Sequence, residues 1–274
     1  MELILGTANL AQVYGHKLNK LSESHFEAIG QSEKNSLFFA IDTSPAYGKA
    51  EEICNKVIAE TTRIYSKVHY EKTTKQFHNS ILKKSYSKVL LVHNWEELNP
   101  KEKGEALSLL DSYRKQGIVA GIGFSTYQEF CDFETLSKYS NLYIQAPLSV
   151  INQDNIYQLA EIKRAFPNTT ILARSIFLQG FLATEKRGYL DNHVDMLKLK
   201  SACRQLKINP LNFALEFVLR QNFIDGLVLG VNSLRDWKEI TDICLGQRLP
   251  ELDDLKWSEL RSLDKNLTDP RKWR

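Results

Sequence analysis

Along this chain a short apolar run is followed by a helical pattern, eight times over. The runs fall at residues 3–7, 37–43, 63–68, 88–93, 119–125, 142–146, 169–175 and 226–231. Between them, amphipathic segments predict helices at 22–35, 49–60, 73–85, 100–116, 127–139, 154–165, 193–206, 211–221 and 233–245, with Ser22 placed to cap the first. Strands that are apolar throughout, rather than alternating, are covered on both faces and belong to a parallel sheet wrapped in helices. Eight such units in 274 residues fit an α/β fold of the (β/α)8 TIM-barrel type, which needs about 250 residues. A doubly wound open sheet is the competing architecture, but it usually carries a glycine-rich loop after its first strand. Here that strand runs into Thr7-Ala8-Asn9-Leu10, and Gly121-Ile122-Gly123-Phe124-Ser125-Thr126 lacks the third glycine. The pattern therefore predicts one barrel domain over residues 1–274, with an extra C-terminal helix at about 254–263.

Composition narrows the partners. Lys+Arg 36 against Asp+Glu 33 leaves a net charge of +3, too even for a nucleic-acid or membrane-surface protein. The basic end Arg271-Lys272-Trp273-Arg274 reads as a solvated tail. Cys54, Cys131, Cys203 and Cys244 stand far apart, in no metal-ligand or CxxC spacing, and predict free thiols of a reducing compartment. With no run of 18 apolar residues and no leader-like start, the expectation is a cytoplasmic protein without a metal.

In a barrel of this kind, chemistry gathers at the C-terminal ends of the strands. The second run ends at Asp42, the third at Lys67 and the fourth at His93, and Tyr47 follows Asp42 closely. Singly, each has a structural explanation: a turn cap, a cation reaching for water, a hydrogen-bonded core imidazole. Three neighbouring strands that deliver an acid, an amine and an imidazole to one rim are harder to explain as packing. A Lys and an Asp at the mouth predict an ion pair. A phenol with a pKa of about 10 is a poor acid until a neighbouring ammonium stabilises its anion. Tyr47 with Lys67, Asp42 and His93 thus forms a proton donor suited to a developing alkoxide, as in carbonyl reduction by hydride.

The stretch Asp42-Thr43-Ser44-Pro45-Ala46-Tyr47-Gly48 with Ala50-Glu51-Glu52 resembles the aldo-keto reductase signature. The resemblance continues in order through Ser66-Lys67-Val68, Leu91-Val92-His93, Gly121–Ser125, Ile144-Gln145, Ala173–Gly180 and Leu229–Ser233, and spans about residues 3–245. It implies a catalytic set of Asp42, Tyr47, Lys67 and His93, with Tyr47 as general acid. It also implies NADPH bound across the mouth: Thr7 and Asp42 near the nicotinamide, Ser125, Thr126 and Gln145 at the carboxamide, and Arg174 and Ser175 along the ring and pyrophosphate. Gly230, Asn232 and Ser233 are implied at the adenosine phosphate.

This chain departs from the pattern at two places. Threonine stands at 126 where asparagine is common. Asn232, Asp236 and Ile240 replace residues that usually face the 2′-phosphate, with Arg235 or Lys238 as compensating cations. These changes leave NADH open beside NADPH. Tyr14, Trp95 and Phe177 are candidate walls of a substrate pocket, and the segment 176–192 is a candidate flap over the cofactor. The Tyr14-Gly15 start is similar to short bacterial-type members, which suggests a small carbonyl substrate, a sugar or sugar nucleotide among the options. Two alternatives remain: a nicotinamide-binding regulatory module without turnover, and a redox-neutral lyase or isomerase. Oligomeric state is not legible.

Overall fold

The computed structural model describes residues 1–10, 20–34, 36, 39–57, 62–77, 88–128, 130, 133–182, 192–253 and 255–273. Eight parallel strands close into a barrel in the order β1 (Glu2–Gly6), β10 (Gly226–Leu229), β9 (Thr170–Arg174), β8 (Leu142–Pro147), β7 (Gly121–Ser125), β6 (Lys88–Val92), β3 (Arg63–Val68) and β2 (Phe39–Thr43). All eight coincide with the apolar runs of the sequence. The register sets Gly6 beside Asp42, Lys67 beside Leu91 and Ser125 beside Gln145, so the polar strand ends arrive at one rim.

Inside the barrel Ile4, Ala40, Tyr65, Val89, Leu91 and Leu172 form a small cluster joined by Tyr143 and Val228. β7 contributes almost no side chain to it. A Cβ on Gly123 would overlap the Tyr143 carbonyl, and one on Gly121 would lie 2.5 Å from the Tyr143 ring. The paired glycines are therefore a close-packing device of the barrel wall. A larger core lies between the strands and the helices. Helix α1 (Glu23–Ser32) is capped by Ser22, α3 (Pro100–Lys115) starts with an Asn99–Glu102 capping box, and α8 (Leu234–Leu245) is capped by Ser233. The remaining helices are α2 (Ala50–Val57), α4 (Phe133–Ser137), α5 (Ile156–Ala165), α6 (Val194–Leu206), α7 (Pro210–Leu219) and the short α9 (Lys265–Thr268). Among the described residues no helix is long and apolar enough to cross a membrane.

Three predicted helices are corrected. Residues 73–77 form the turn and second strand of a hairpin, β4 (Tyr70–Glu71) and β5 (Gln76–Phe77), while 78–85 lie outside the described residues. Tyr70 packs on Phe77, and the Asn94 amide pins both backbone groups of Tyr70. The helix expected over 127–139 is reduced to α4, because the Tyr127 and Gln128 amides turn away to donate to Glu96. In place of a helix over 254–263 there is a 3-10 turn at Trp257–Leu260, where Trp257 packs on Phe213 and Phe217 and Ser262 N–H donates to the Ile151 carbonyl.

These contacts make opposite predictions for two glycines. Gly123→Ala should destabilise the fold by about 3 kcal/mol or more in denaturant unfolding, because backbone must move. Gly104→Ala, in α3 with open space around its Cα, should stabilise it by up to about 1 kcal/mol.

Candidate active site

The strand ends meet at the floor of a cavity of about 1330 Å³ that opens at the C-terminal rim. Lys67 Nζ and the Asp42 carboxylate form an ion pair with both side chains almost fully buried. Gln145 reaches across from β8 and donates to the other Asp42 oxygen at 2.8 Å. Thr7 donates twice to the Asp42 carbonyl, through its amide and its hydroxyl, both at 3.0 Å, which fixes where β2 ends. Ser44 then organises the loop: its hydroxyl donates to the Lys67 carbonyl at 2.7 Å, accepts from Ala46 N–H, and lies 3.4 Å from His93 Nδ1. Tyr47 N–H donates to Ser44, and Gly48 at φ +59° turns the chain into α2. Lys67 Nζ sits 5.1 Å from the centre of the Tyr47 ring, which meets the His93 ring edge-on at 6.2 Å. The four predicted side chains thus share one small volume.

Protonation states follow from this geometry. Burial, and then the positive fields of Lys67, His69 and Arg174, pull the His93 pKa down to about 3, so the imidazole is neutral at physiological pH. Burial pushes the Tyr47 phenol above its ordinary value, the Asp42 carboxylate pushes the same way, and Arg174 opposes them. This differs from the expectation that Lys67 acidifies Tyr47. With the ammonium paired to Asp42, little net positive field is left for the phenol, and Tyr47 keeps its proton.

Ser125, Gln145, Arg174, Ser175 and Phe177 line the cavity, as do Gly230, Asn232 and Ser233. The other candidates are placed elsewhere. Thr7 is fully buried behind Asp42, and Thr126, also fully buried, donates its hydroxyl to Glu96 at 3.1 Å. Trp95 is a core residue stacked on Phe124 at 4.2 Å. Arg235 faces a neighbouring groove with Lys238. Tyr14 and residues 183–191 of the candidate flap lie outside the described residues.

Several cavity residues have no counterpart in the sequence reading. Arg271, expected in a solvated tail, stacks on the Tyr127 ring at 3.5 Å and donates to Glu96, while Arg174 stacks on the same ring at 4.1 Å. Burial works against the Glu96 carboxylate. Hydrogen bonds from Gln128, Tyr127, Arg271 and Thr126 outweigh that penalty and hold its pKa below the usual range. His69 meets His93 edge-on at 5.0 Å. The wall after β9 is strained: Ser175, Leu178 and Gln179 have φ of +60°, +46° and +52°. Non-glycine residues rarely adopt such angles, and they concentrate at functional sites. The one local signal for the tail contact is Glu96 itself, an acid three residues past a strand-end histidine.

Suitability for a nicotinamide dinucleotide can be judged from the walls. The volume exceeds the roughly 300–1,000 Å³ of pockets for drug-sized ligands. Gly230 has nothing within 4 Å of a would-be Cβ, so the wall there is bare backbone. Asn9 is 7% exposed, lines the cavity, and its Oδ1 has no hydrogen-bond partner. A large cavity of mixed polar and apolar lining, with open backbone and an unsatisfied buried acceptor, fits such a ligand.

A closed barrel with an acid, amine, imidazole and phenol at its C-terminal rim defines a class of (β/α)8 oxidoreductase. The sequence model described as the Aldo/keto reductase family matches residues 2–265, and the chain belongs to that family of oxidoreductases acting on carbonyl groups. It is similar in structure to an aldo-keto reductase from Bacillus halodurans solved in its holo form, with TM-score 0.70, 15% identity, and coverage of 96% of this chain and 93% of that one. It is also similar to a glycerol dehydrogenase from Gluconobacter oxydans, with TM-score 0.65, 16% identity, and coverage of 98% and 92%. No curated protein matches the sequence.

The His93 environment predicts an acid-sensitive stability. Unfolded, the imidazole takes up a proton near pH 6.5; folded, it does so only near pH 3. Between those values the unfolded state binds more protons, so stability falls as pH falls. In denaturant unfolding at pH 7 and pH 4.5, His93→Gln should lose less stability on acidification than the parent chain, and an equal loss would contradict the assignment.

Proposed function

We propose that this chain reduces a small-molecule carbonyl to an alcohol, with a nicotinamide dinucleotide as the reductant. The observation that carries the proposal is the buried Lys67–Asp42 pair beside Tyr47 and His93 at the floor of a large cavity. When bound, the dinucleotide supplies a hydride, two electrons with one hydrogen, to the carbonyl carbon. The oxygen then needs one proton, which Tyr47 donates from its hydroxyl; water returns a proton to the tyrosinate. Tyr47 holds that proton firmly at neutral pH, which is the state a donor requires. His93, neutral, hydrogen-bonds the same oxygen and orients it. Arg174 is the cation that favours the anionic phenol as the proton leaves. The Lys67–Asp42 pair is a buried charged support beneath the Tyr47 ring, and Ser44 links it to the His93 imidazole.

For the cofactor, Ser125 and Gln145 would hold the carboxamide, with Thr7 fixing the Asp42 end of the site from behind. Arg174 and Ser175 would hold the pyrophosphate. Arg174 uses two donors on Ser175 and the Thr126 carbonyl, and among the described residues no carboxylate pairs with it. Gly230, Asn232 and Ser233 would take the adenosine end. Thr126 and Trp95 drop out of these roles because their side chains point into packing. For the substrate we propose a sugar or sugar-nucleotide carbonyl, supported by the polar wall of His69, Asn94, Glu97 and Arg271 beside Phe177. A reducing compartment such as the cytoplasm is supported by the sequence spacing of the cysteines, which stand far apart.

Tyr47→Phe should lower kcat for reduction by about 10²–10⁴ while dinucleotide affinity stays within a few fold. The measurement is NAD(P)H consumption with an aldehyde and sugar panel, with the alcohol product identified. Unchanged turnover in the variant would remove Tyr47 from the chemistry. Tight nucleotide binding with no turnover on any carbonyl would favour a binding module.

A further inference from the structure

The start of α8 carries more negative than positive charge where it faces the cavity. Ser233 caps the helix by accepting from Asp236 N–H at 3.1 Å, and Asp236 Oδ2 accepts in return from Asn232 N–H at 3.0 Å. The helix terminus thus already holds a carboxylate of its own, which partly neutralises the positive end of its dipole. Asp236 lines the cavity together with Glu239, one turn further on. The nearby cations, Arg235 and Lys238, line a neighbouring groove of about 710 Å³ in which Glu239 and Asp242 oppose them. On α8 itself, Arg235 and Lys238 stand against Asp236, Glu239 and Asp242, and its cavity side presents the two carboxylates Asp236 and Glu239, with Lys20 and His25 elsewhere on the cavity lining.

An independent observation points to a ligand at the same place. The side-chain amide of Asn9 donates to the Val231 carbonyl at 2.7 Å and to Asn232 Oδ1 at 3.0 Å, which leaves its own buried Oδ1 without a partner at the cavity. Bare Gly230 lies beside it. The wall around Asn232 therefore offers acceptors: the unpartnered Asn9 Oδ1, and the carboxylate of Asp236, whose Oδ2 takes the Asn232 N–H. Acceptors suit a donor such as a sugar hydroxyl. A ribose 2′-phosphate carries about −1.5 to −2 charge at pH 7 and brings only acceptors. At the start of α8 it meets the repulsion of two carboxylates, whereas a ribose hydroxyl can donate to Asp236.

We infer that this chain selects NAD(H) over NADP(H), and that Asp236, reinforced by Glu239, is the residue that excludes the 2′-phosphate. The inference rests on the dinucleotide reading above and reverses the NADPH expected from family resemblance. Asn232 contributes by turning its side-chain oxygen to Asn9 in a position where a cation would have served a phosphate.

The test is direct titration of the full-length chain with NADH and NADPH by quenching of its tryptophan fluorescence, with 5′-AMP and adenosine 2′,5′-bisphosphate as competing fragments. NADH should bind at least about tenfold more tightly, and the gap should narrow as ionic strength rises. Asp236→Asn keeps an acceptor for Asn232 N–H but removes the charge, and should lower the Kd ratio of NADPH to NADH by about tenfold. Glu239→Gln, an exposed change with no part in the fold, should lower it by a smaller factor and guards against a folding defect in the first variant. NADPH binding as tight as NADH, or a ratio unmoved by both variants, would overturn the inference and leave the dinucleotide reading standing. Failure of both nucleotides and both fragments to bind would overturn the two together.

Discussion

A charge pair enclosed in a protein wall is what the rest of this site depends on. Lys67 and Asp42 are each almost inaccessible to water, so neither charge could persist without the other. Their pairing is possible only because β2 and β3 are neighbours in a closed barrel whose register brings both strand ends to the same height. Gln145, from the other side of the barrel, satisfies the second Asp42 oxygen, and Ser44 ties the loop of Tyr47 to the Lys67 backbone. The first of these contacts brings β8 to the pair, and the second ties the loop after β2 back to β3. The barrel therefore positions the phenol over Lys67 and holds its loop through Ser44, which also approaches the His93 imidazole.

The electrostatic consequence is that two reactive groups stay neutral. His93 sits in a field of three cationic or ionisable neighbours and has no reason to gain a proton. Tyr47 sits near Asp42 and has no reason to lose one. Two neutral hydrogen-bonding groups over a buried ion pair form a preorganised site that costs little rearrangement when charge develops on a substrate oxygen. Arg174 and Arg271, stacked on Tyr127, close the side of the cavity with planar cations, and Glu96 anchors that side to the first turn after β6.

Much of this was legible from local pattern. The eight apolar runs match the eight strands because burial on both faces is written into each run. Asp42, Lys67 and His93 were legible because a titratable residue that ends an apolar strand has only the rim to occupy. What pattern does not carry is which way a residue turns just after a strand. Ser125 faces the cavity while Thr126, one residue on, turns to Glu96; His93 faces it while Trp95 folds back onto Phe124. The place of the C-terminal segment is hidden for a related reason. Arg271 belongs at the mouth because Trp273 packs on Phe181 and Lys265 pairs with Asp154, contacts between segments more than 90 residues apart that leave no local trace.

The central claim, that the buried pair holds the rim together as a unit, is tested most directly by a double-mutant cycle of Asp42→Asn and Lys67→Met in denaturant unfolding. Each single change should cost about 3–5 kcal/mol by stranding the other charge, and the double variant should cost clearly less than their sum. Two losses that simply add, with a coupling below about 0.5 kcal/mol, would mean that the charges do not depend on each other and would contradict the account.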